Sequence, residues 1–85
     1  MMDSWCEGAR FQRADLSFAM FRRSRCARAN FQAANLFQAG FGLADLHGAS
    51  LMGANCYEAD FTDARTTDAD LRLARLTRTS LSVRK

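Results

Sequence analysis

The chain has 85 residues, 48% of them hydrophobic and 25% charged, with a formal net charge of +3. Such a length predicts one domain with a marginal globular core, and no apolar run reaches the roughly 20 residues of a membrane span. The opening "MMDSWCEGAR" has acids and no apolar segment of a secretory signal; three cysteines without paired spacing predict reduced thiols and a cytoplasmic chain.

Residues 1–8 read as an N-terminal cap segment, with Trp5 and Met1 or Met2 folding over the residues from Ala9 onward. At Ala9 a register begins that returns every five residues as far as Ala74. Of its 15 positions 13 are alanine, the exceptions being Ser24 and the closing Thr79. Two residues after each stands a larger one, from Phe11, Leu16 and Phe21 through to Leu81. Fourteen of these 15 are Phe, Leu or Cys, and Thr66 is the exception. The repeat occupies 9–83 and leaves 84–85 as a tail.

A period of five fits neither regular element. On a helix it spreads the apolar residues round every side, and along a strand it moves them to the opposite face at each repeat. A short strand followed by a corner does fit: the alanine and the bulky residue point inward, and the next two residues turn the chain. In a stacked coil, like residues lie over like. Bulky positions compared at an offset of 20 residues, with Cys6 included, are identical in 6 of 12 pairs, against 1 of 13 at an offset of 15. The prediction is an all-β solenoid, a four-sided parallel β-helix of about four coils of 20 residues.

The units "ADLSF", "ANFQA", "ANLFQ", "ADLHG", "ANCYE", "ADFTD" and "ADLRL" resemble the pentapeptide-repeat family, whose members read Ala, Asp or Asn, Leu or Phe, then two variable residues. The resemblance implies a right-handed quadrilateral β-helix, in agreement with the offset. Departures are Arg10, Met20, Arg25, Gly40, Ser50, Arg65, Arg75 and Ser80 at the second place and Thr66 at the third.

The coil has four inward columns: Phe11, Phe31, Leu51, Leu71; across from it Phe21, Phe41, Phe61, Leu81; and between them Leu16, Leu36, Cys56, Leu76 and Cys6, Cys26, Leu46, Thr66. Each residue is buried against its copies on neighbouring coils. Cys6 and Cys26 fall on adjacent coils within disulfide reach, but occupy core places and read as core. The hydroxyl of Thr66 needs a backbone acceptor. Gly48 and Gly53 stand at the fifth place, where a type II corner wants φ > 0. His47 reads as a solvated histidine without the further ligands of a metal site. With no nucleophile–base–acid set or paired carboxylates, the chain reads as non-enzymatic, with no catalytic residue, cofactor or metal.

Function then belongs to the outside. Phe37 and Tyr57 share an outward place on adjacent coils, with Phe18 one position over on the coil before. They are the candidate contact for a protein partner. Arg10, Arg13, Arg22, Arg23, Arg25 and Arg28 make the first coil basic against the single acid Asp15, which suits nucleic acid, anionic lipid or an acidic protein face. The alternative is a solvated surface with cross-coil ion pairs: a ladder of Arg25, Asp45 and Arg65, and Glu58 against Arg78. No aromatic residue interleaves the arginines to stack bases. At the C-terminal end Leu76, Leu81 and Val83 close the register on an uncapped coil, which predicts self-association as a homodimer.

The leading expectation is a non-enzymatic interaction or scaffold module presenting flat sides to a protein. The family resemblance supplies an alternative, since some members resemble a DNA duplex, bind DNA gyrase and protect it against quinolones. Such mimicry demands an acidic surface, and this chain is net positive. Direct binding of nucleic acid or an anionic surface by the arginines is the third reading, marked by steep salt dependence.

Overall fold

The computed structural model describes residues 4–81, the side chains of Ser80 and Leu81 excepted. Each five-residue unit turns the chain through one corner. The third-place carbonyl accepts the N–H of the residue that opens the next unit: Phe11 from Ala14 at 3.1 Å, Phe31 from Ala34 at 3.0 Å, Leu51 from Ala54 at 3.0 Å. That turn requires positive φ at the fifth place. Gly48 and Gly53 have it, at +67° and +70°, as the sequence indicates. So does every other corner, including 12 non-glycine residues with φ between 55° and 65°. None of the 12 is β-branched, the class for which this conformation is a true outlier. Ala33, exposed at φ 59°, carries the strain without compensating contacts. Ala33→Gly is expected to stabilise the protein by roughly 0.5–1 kcal/mol, the relief of left-handed strain less the added freedom of the unfolded chain. Urea unfolding checks this, and a destabilised variant would contradict the strain.

The Asp or Asn at the second place has a local task. Its side-chain Oδ1 accepts the N–H two residues on: Asn30 from Gln32 at 2.9 Å, Asp45 from His47 at 3.1 Å, Asp60 from Thr62 at 2.9 Å. The N–H groups of the third and fifth places donate instead to the next coil, as Phe31 does to Ser50 at 2.7 Å and Ala33 to Met52 at 2.9 Å. The second-place side chain thus satisfies the one corner donor that the ladder leaves over.

Coils pair in parallel at an offset of 20 residues. Second-place residues bridge second-place residues, from Trp5↔Arg25 and Arg10↔Asn30 to Asn55↔Arg75. Only β1 (Asp60–Phe61) and β2 (Ser80–Leu81) extend the pairing to two residues. Each side of the square is therefore a ladder of single bridges, shorter than the strand expected. Residues 4–8, assigned to a cap on sequence, already follow this pattern: the Cys6 N–H donates to Arg25 and the Gly8 N–H to Ala27. Trp5 does not fold over the coil. It stands on the outside, 70% exposed, with the Arg25 guanidinium 4.5 Å from its ring centroid. Met1 and Met2 lie outside the described residues.

Inside the square, the two phenylalanine columns meet. Phe21 stacks on Phe41 at 4.8 Å and Phe41 on Phe61 at 5.2 Å, while Phe11 stacks on Phe31 at 5.0 Å. Across the coil, Phe21–Phe31 and Phe31–Phe41 meet edge to face at 5.8 and 5.5 Å. Aromatic contacts of both kinds add to the area buried. The two non-alanine residues in the small register keep their hydroxyls bonded: Ser24 accepts the Ser4 N–H at 3.2 Å, and Thr79 donates to the Cys56 carbonyl at 2.6 Å. Burial is complete for third-place residues from Phe21 to Phe61 and partial at both ends, where Phe11, Leu16, Leu71 and Leu76 are half-buried. Thr66 is also half-buried, which relieves the need for an internal acceptor.

Candidate functional site

Three aromatic residues come together at one corner, as their spacing indicates. Phe37 and Tyr57 stack with centroids 5.9 Å apart and planes 6° from parallel, and Phe18 meets Phe37 edge to face at 5.4 Å. The Arg75 guanidinium lies 4.8 Å from the Tyr57 centroid. The group is less exposed than expected. Phe37 and Tyr57 are half-buried with their ring faces turned to one another, and Phe18, 61% exposed, is the member that projects.

Polar ladders fix this corner on both flanks. On one, the Asn55 amide donates to Asn35 at 3.2 Å and the Asn35 amide to Asp15 at 3.4 Å. Asp15 also accepts from the Ser17 hydroxyl and N–H, which with the Asn35 bond holds its carboxyl below the usual carboxylate range. On the other, Gln38 donates to Glu58 at 2.7 Å, and Glu58 pairs with Arg78 at 3.2 Å. This last is the pair that the sequence places there.

The six arginines are all exposed but do not form one patch. Arg10 and Arg25 occupy second places on two different sides, Arg13, Arg23 and Arg28 fall at three separate corners, and Arg22 stands beside Arg23. Arg28 pairs with Glu7 at 3.4 Å. The ladder of Arg25, Asp45 and Arg65 keeps its register but not its ion pairs: Arg25 rests on Trp5, and the Asp45 Oδ1 accepts the His47 N–H. Among the described residues no ion pair joins the three. A guanidinium over an indole face keeps its hydration on the other side, which a bridge to a carboxylate would displace.

His47 departs from the solvated position expected of it. It is half-buried, and its Nδ1 is shut off from water without a hydrogen-bond partner. The three cysteines are buried and reduced. Burial, then the neighbouring Cys6 thiol, pushes Cys26 up to about 12, and burial pushes Cys56 up to about 11, so neither is a nucleophile near neutral pH. At the C-terminal end Leu76 is half-buried, Leu81 lies in β2, and Val83 falls outside the described residues. Among the described residues no group of three or more His, Cys, Asp or Glu side chains could hold a metal ion.

Sequence reasoning missed one feature. A hollow of about 380 Å³ opens on the side of Met20, Gly40 and Asp60. Gly40 and Gly42 floor it. Its signal is legible only by aligning residues 20 apart, where glycine at Gly40 interrupts larger neighbours.

The family model for pentapeptide repeats matches eight copies in this chain, over residues 9–39, 29–65 and 54–82. A pentapeptide-repeat protein from the thylakoid lumen of Arabidopsis thaliana is 35% identical with a TM-score of 0.91, covering 92% of this chain and 54% of that one. HetL, a pentapeptide-repeat protein involved in heterocyst differentiation regulation in the cyanobacterium Nostoc, is 34% identical with a TM-score of 0.71, covering 91% of this chain and 38% of that one. Rfr23 from the cyanobacterium Cyanothece shares the fold, at 24% identity, a TM-score of 0.56, and coverage of 86% of this chain and 57% of that one. The chain thus spans about half the length, or less, of the first two. No curated protein sequence matches it significantly. Proteins of this family are right-handed quadrilateral β-helices and generally non-enzymatic structural repeats. The chain belongs to the pentapeptide-repeat family.

Proposed function

We propose that the chain is a protein-binding module whose aromatic corner meets the partner. The observation that carries this reading is Phe18, a large ring 61% exposed and braced edge-on against the Phe37–Tyr57 stack. A projecting aromatic on a rigid support loses little side-chain freedom on binding, which is what makes such residues anchors. Phe37→Asp/Tyr57→Asp changes the outer surface and leaves the inward columns intact. Wild-type bait is expected to capture a partner from source-cell lysate that the double variant fails to capture. Equal capture by both would reduce the corner to packing.

The alternatives draw less support. A DNA-mimicking binder of gyrase needs a continuous acidic surface, and this one carries net positive charge. Direct binding of nucleic acid needs arginines gathered along one face, and here they are spread round the coil. Pairing of two copies through the coil of Leu76 belongs to the same proposal, supported by the half-burial of Leu71 and Leu76 beside fully buried Leu36 and Leu51. A monomer in analytical ultracentrifugation would remove that part.

A further inference from the structure

Gly40 and Gly42 are glycines that the fold does not require. Neither has the positive φ that the corners impose, and a Cβ at Gly40 would meet nothing within 4 Å. At Gly42 a Cβ would find only ordinary contacts, the Thr62 carbonyl at 3.8 Å and the Arg22 stem at 4.0 Å. Glycine without a conformational need destabilises an extended segment through the entropy it loses on folding. What the two glycines create is the hollow.

Its walls have a definite chemistry. Met20 and Leu43, 56% and 47% exposed, give it apolar sides. Arg22 lines it on the coil before the glycines, and Asp60 and Asp63 line it on the coil after. The Thr62 N–H and hydroxyl hold Asp60 through Oδ1 alone, so the carboxylate is fixed with its other oxygen unused among the described residues. Asp63 and Arg22 likewise have no ion pair among the described residues. Gly40 also lacks the side chain that elsewhere caps the corner, and the Gly42 N–H has no hydrogen-bond partner among the described residues. The hollow thus combines an unused main-chain donor, apolar sides, and an acidic rim facing a basic one.

We propose that this hollow binds an extended segment of a partner protein through a lysine or arginine. The methylenes of that side chain lie over the glycine floor between Met20 and Leu43, and its cationic head reaches Asp60 and Asp63. A carbonyl of the segment accepts the Gly42 N–H. Arg22, on the opposite rim, sets the direction, since it repels a second basic residue and accepts an acidic one. The proposal rests on the reading of the chain as a protein-binding module, but not on the aromatic corner.

The test is selection from a displayed random-peptide library on the immobilised chain. Binding of the enriched peptides is then measured by fluorescence polarisation. Gly40→Leu fills the hollow without meeting the backbone. Asp60→Asn/Asp63→Asn removes the acidic rim and leaves an oxygen on residue 60 to accept the Thr62 N–H. Circular dichroism and thermal melts establish that both variants fold. Enriched peptides are expected to share a lysine or arginine beside an apolar residue, and to bind either variant about tenfold more weakly or worse. Peptides that bind wild type and Gly40→Leu equally, but lose binding to Phe37→Asp/Tyr57→Asp, overturn the hollow and spare the module. Enrichment of acidic peptides, or no enrichment over the filled variant, overturns the hollow as well.

Discussion

Phe41→Ala is expected to destabilise the protein by about 3–5 kcal/mol, the range for a fully buried aromatic truncated to alanine. Phe41 is 0% exposed, stacked between Phe21 and Phe61 and touched at its edge by Phe31. Each of those rings loses a face or an edge, and the main chain cannot close the gap, because its third-place N–H is tied to the next coil at 2.6 Å. Small domains are stable by only about 5 kcal/mol at the low end, so the variant should be largely unfolded at physiological temperature. Urea denaturation read by circular dichroism measures this. A loss under about 1 kcal/mol would mean that Phe41 is not in a packed interior.

Ala39→Leu is expected to be nearly as damaging, for the opposite reason. Ala39 is fully buried in the small register, where its side chain faces the coil interior beside Phe41. Overpacking usually costs about 1–3 kcal/mol and more where the backbone cannot move. Here it is clamped on both sides, with the Gly40 N–H donating to Ala19 at 2.8 Å and the Asp60 N–H to the Ala39 carbonyl at 2.9 Å. Ala33→Leu is the control. Ala33 is exposed at a fifth place, where Leu43 and Leu73 are already accommodated at φ 60° and 61°. That change should stay within about 0.5 kcal/mol. Equal melting points for the two leucine variants would contradict the division into inward and outward alanines.

Both effects arise in the part of the molecule that is legible in the sequence. Alanine every fifth residue, with a bulky residue two further on, admits a cornered coil and little else. The recurrence of Phe at Phe21, Phe41 and Phe61 sets the coil at four sides. The core is legible because it is periodic, each inward residue meeting its own copy. The surface is not periodic, and there legibility declines. Alternating charge at Arg25, Asp45 and Arg65 suggests a salt ladder, but Trp5 at the same register offers the guanidinium an aromatic face instead. Spacing places Phe37 and Tyr57 together correctly, yet only side-chain orientation shows that they turn their faces to each other and leave Phe18 outermost. His47 looks solvated because its repeat place faces outward, while the neighbours that shut its Nδ1 from water come from other coils. Positive φ is readable at Gly48 and Gly53 because glycine advertises it. Arg, Gln, Leu and Asp at the other corners take the same conformation without a compositional sign.

The hollow illustrates the same limit. A glycine in a sequence signals a turn, and the other glycines, Gly8, Gly48 and Gly53, do serve turns. Gly40 and Gly42 acquire their meaning only when Met20, Arg22, Asp60 and Asp63 are seen above and below them.

Residues 20 apart are neighbours in this fold, and the aromatic corner and the hollow both exist only in that register. Proton–proton contacts in isotope-labelled protein test it directly. The structure pairs Asn35 with Asn55 through the Leu36 N–H to the Asn55 carbonyl at 2.8 Å and the Asn55 N–H to Ala34 at 2.9 Å. A nuclear Overhauser cross-peak between the Leu36 amide proton and the Asn55 α-proton is therefore expected, with its counterparts repeated along the chain at the same spacing. Cross-peaks joining residues 15 or 25 apart, roughly one repeat short or long, would contradict the four-sided coil and every surface site built on it.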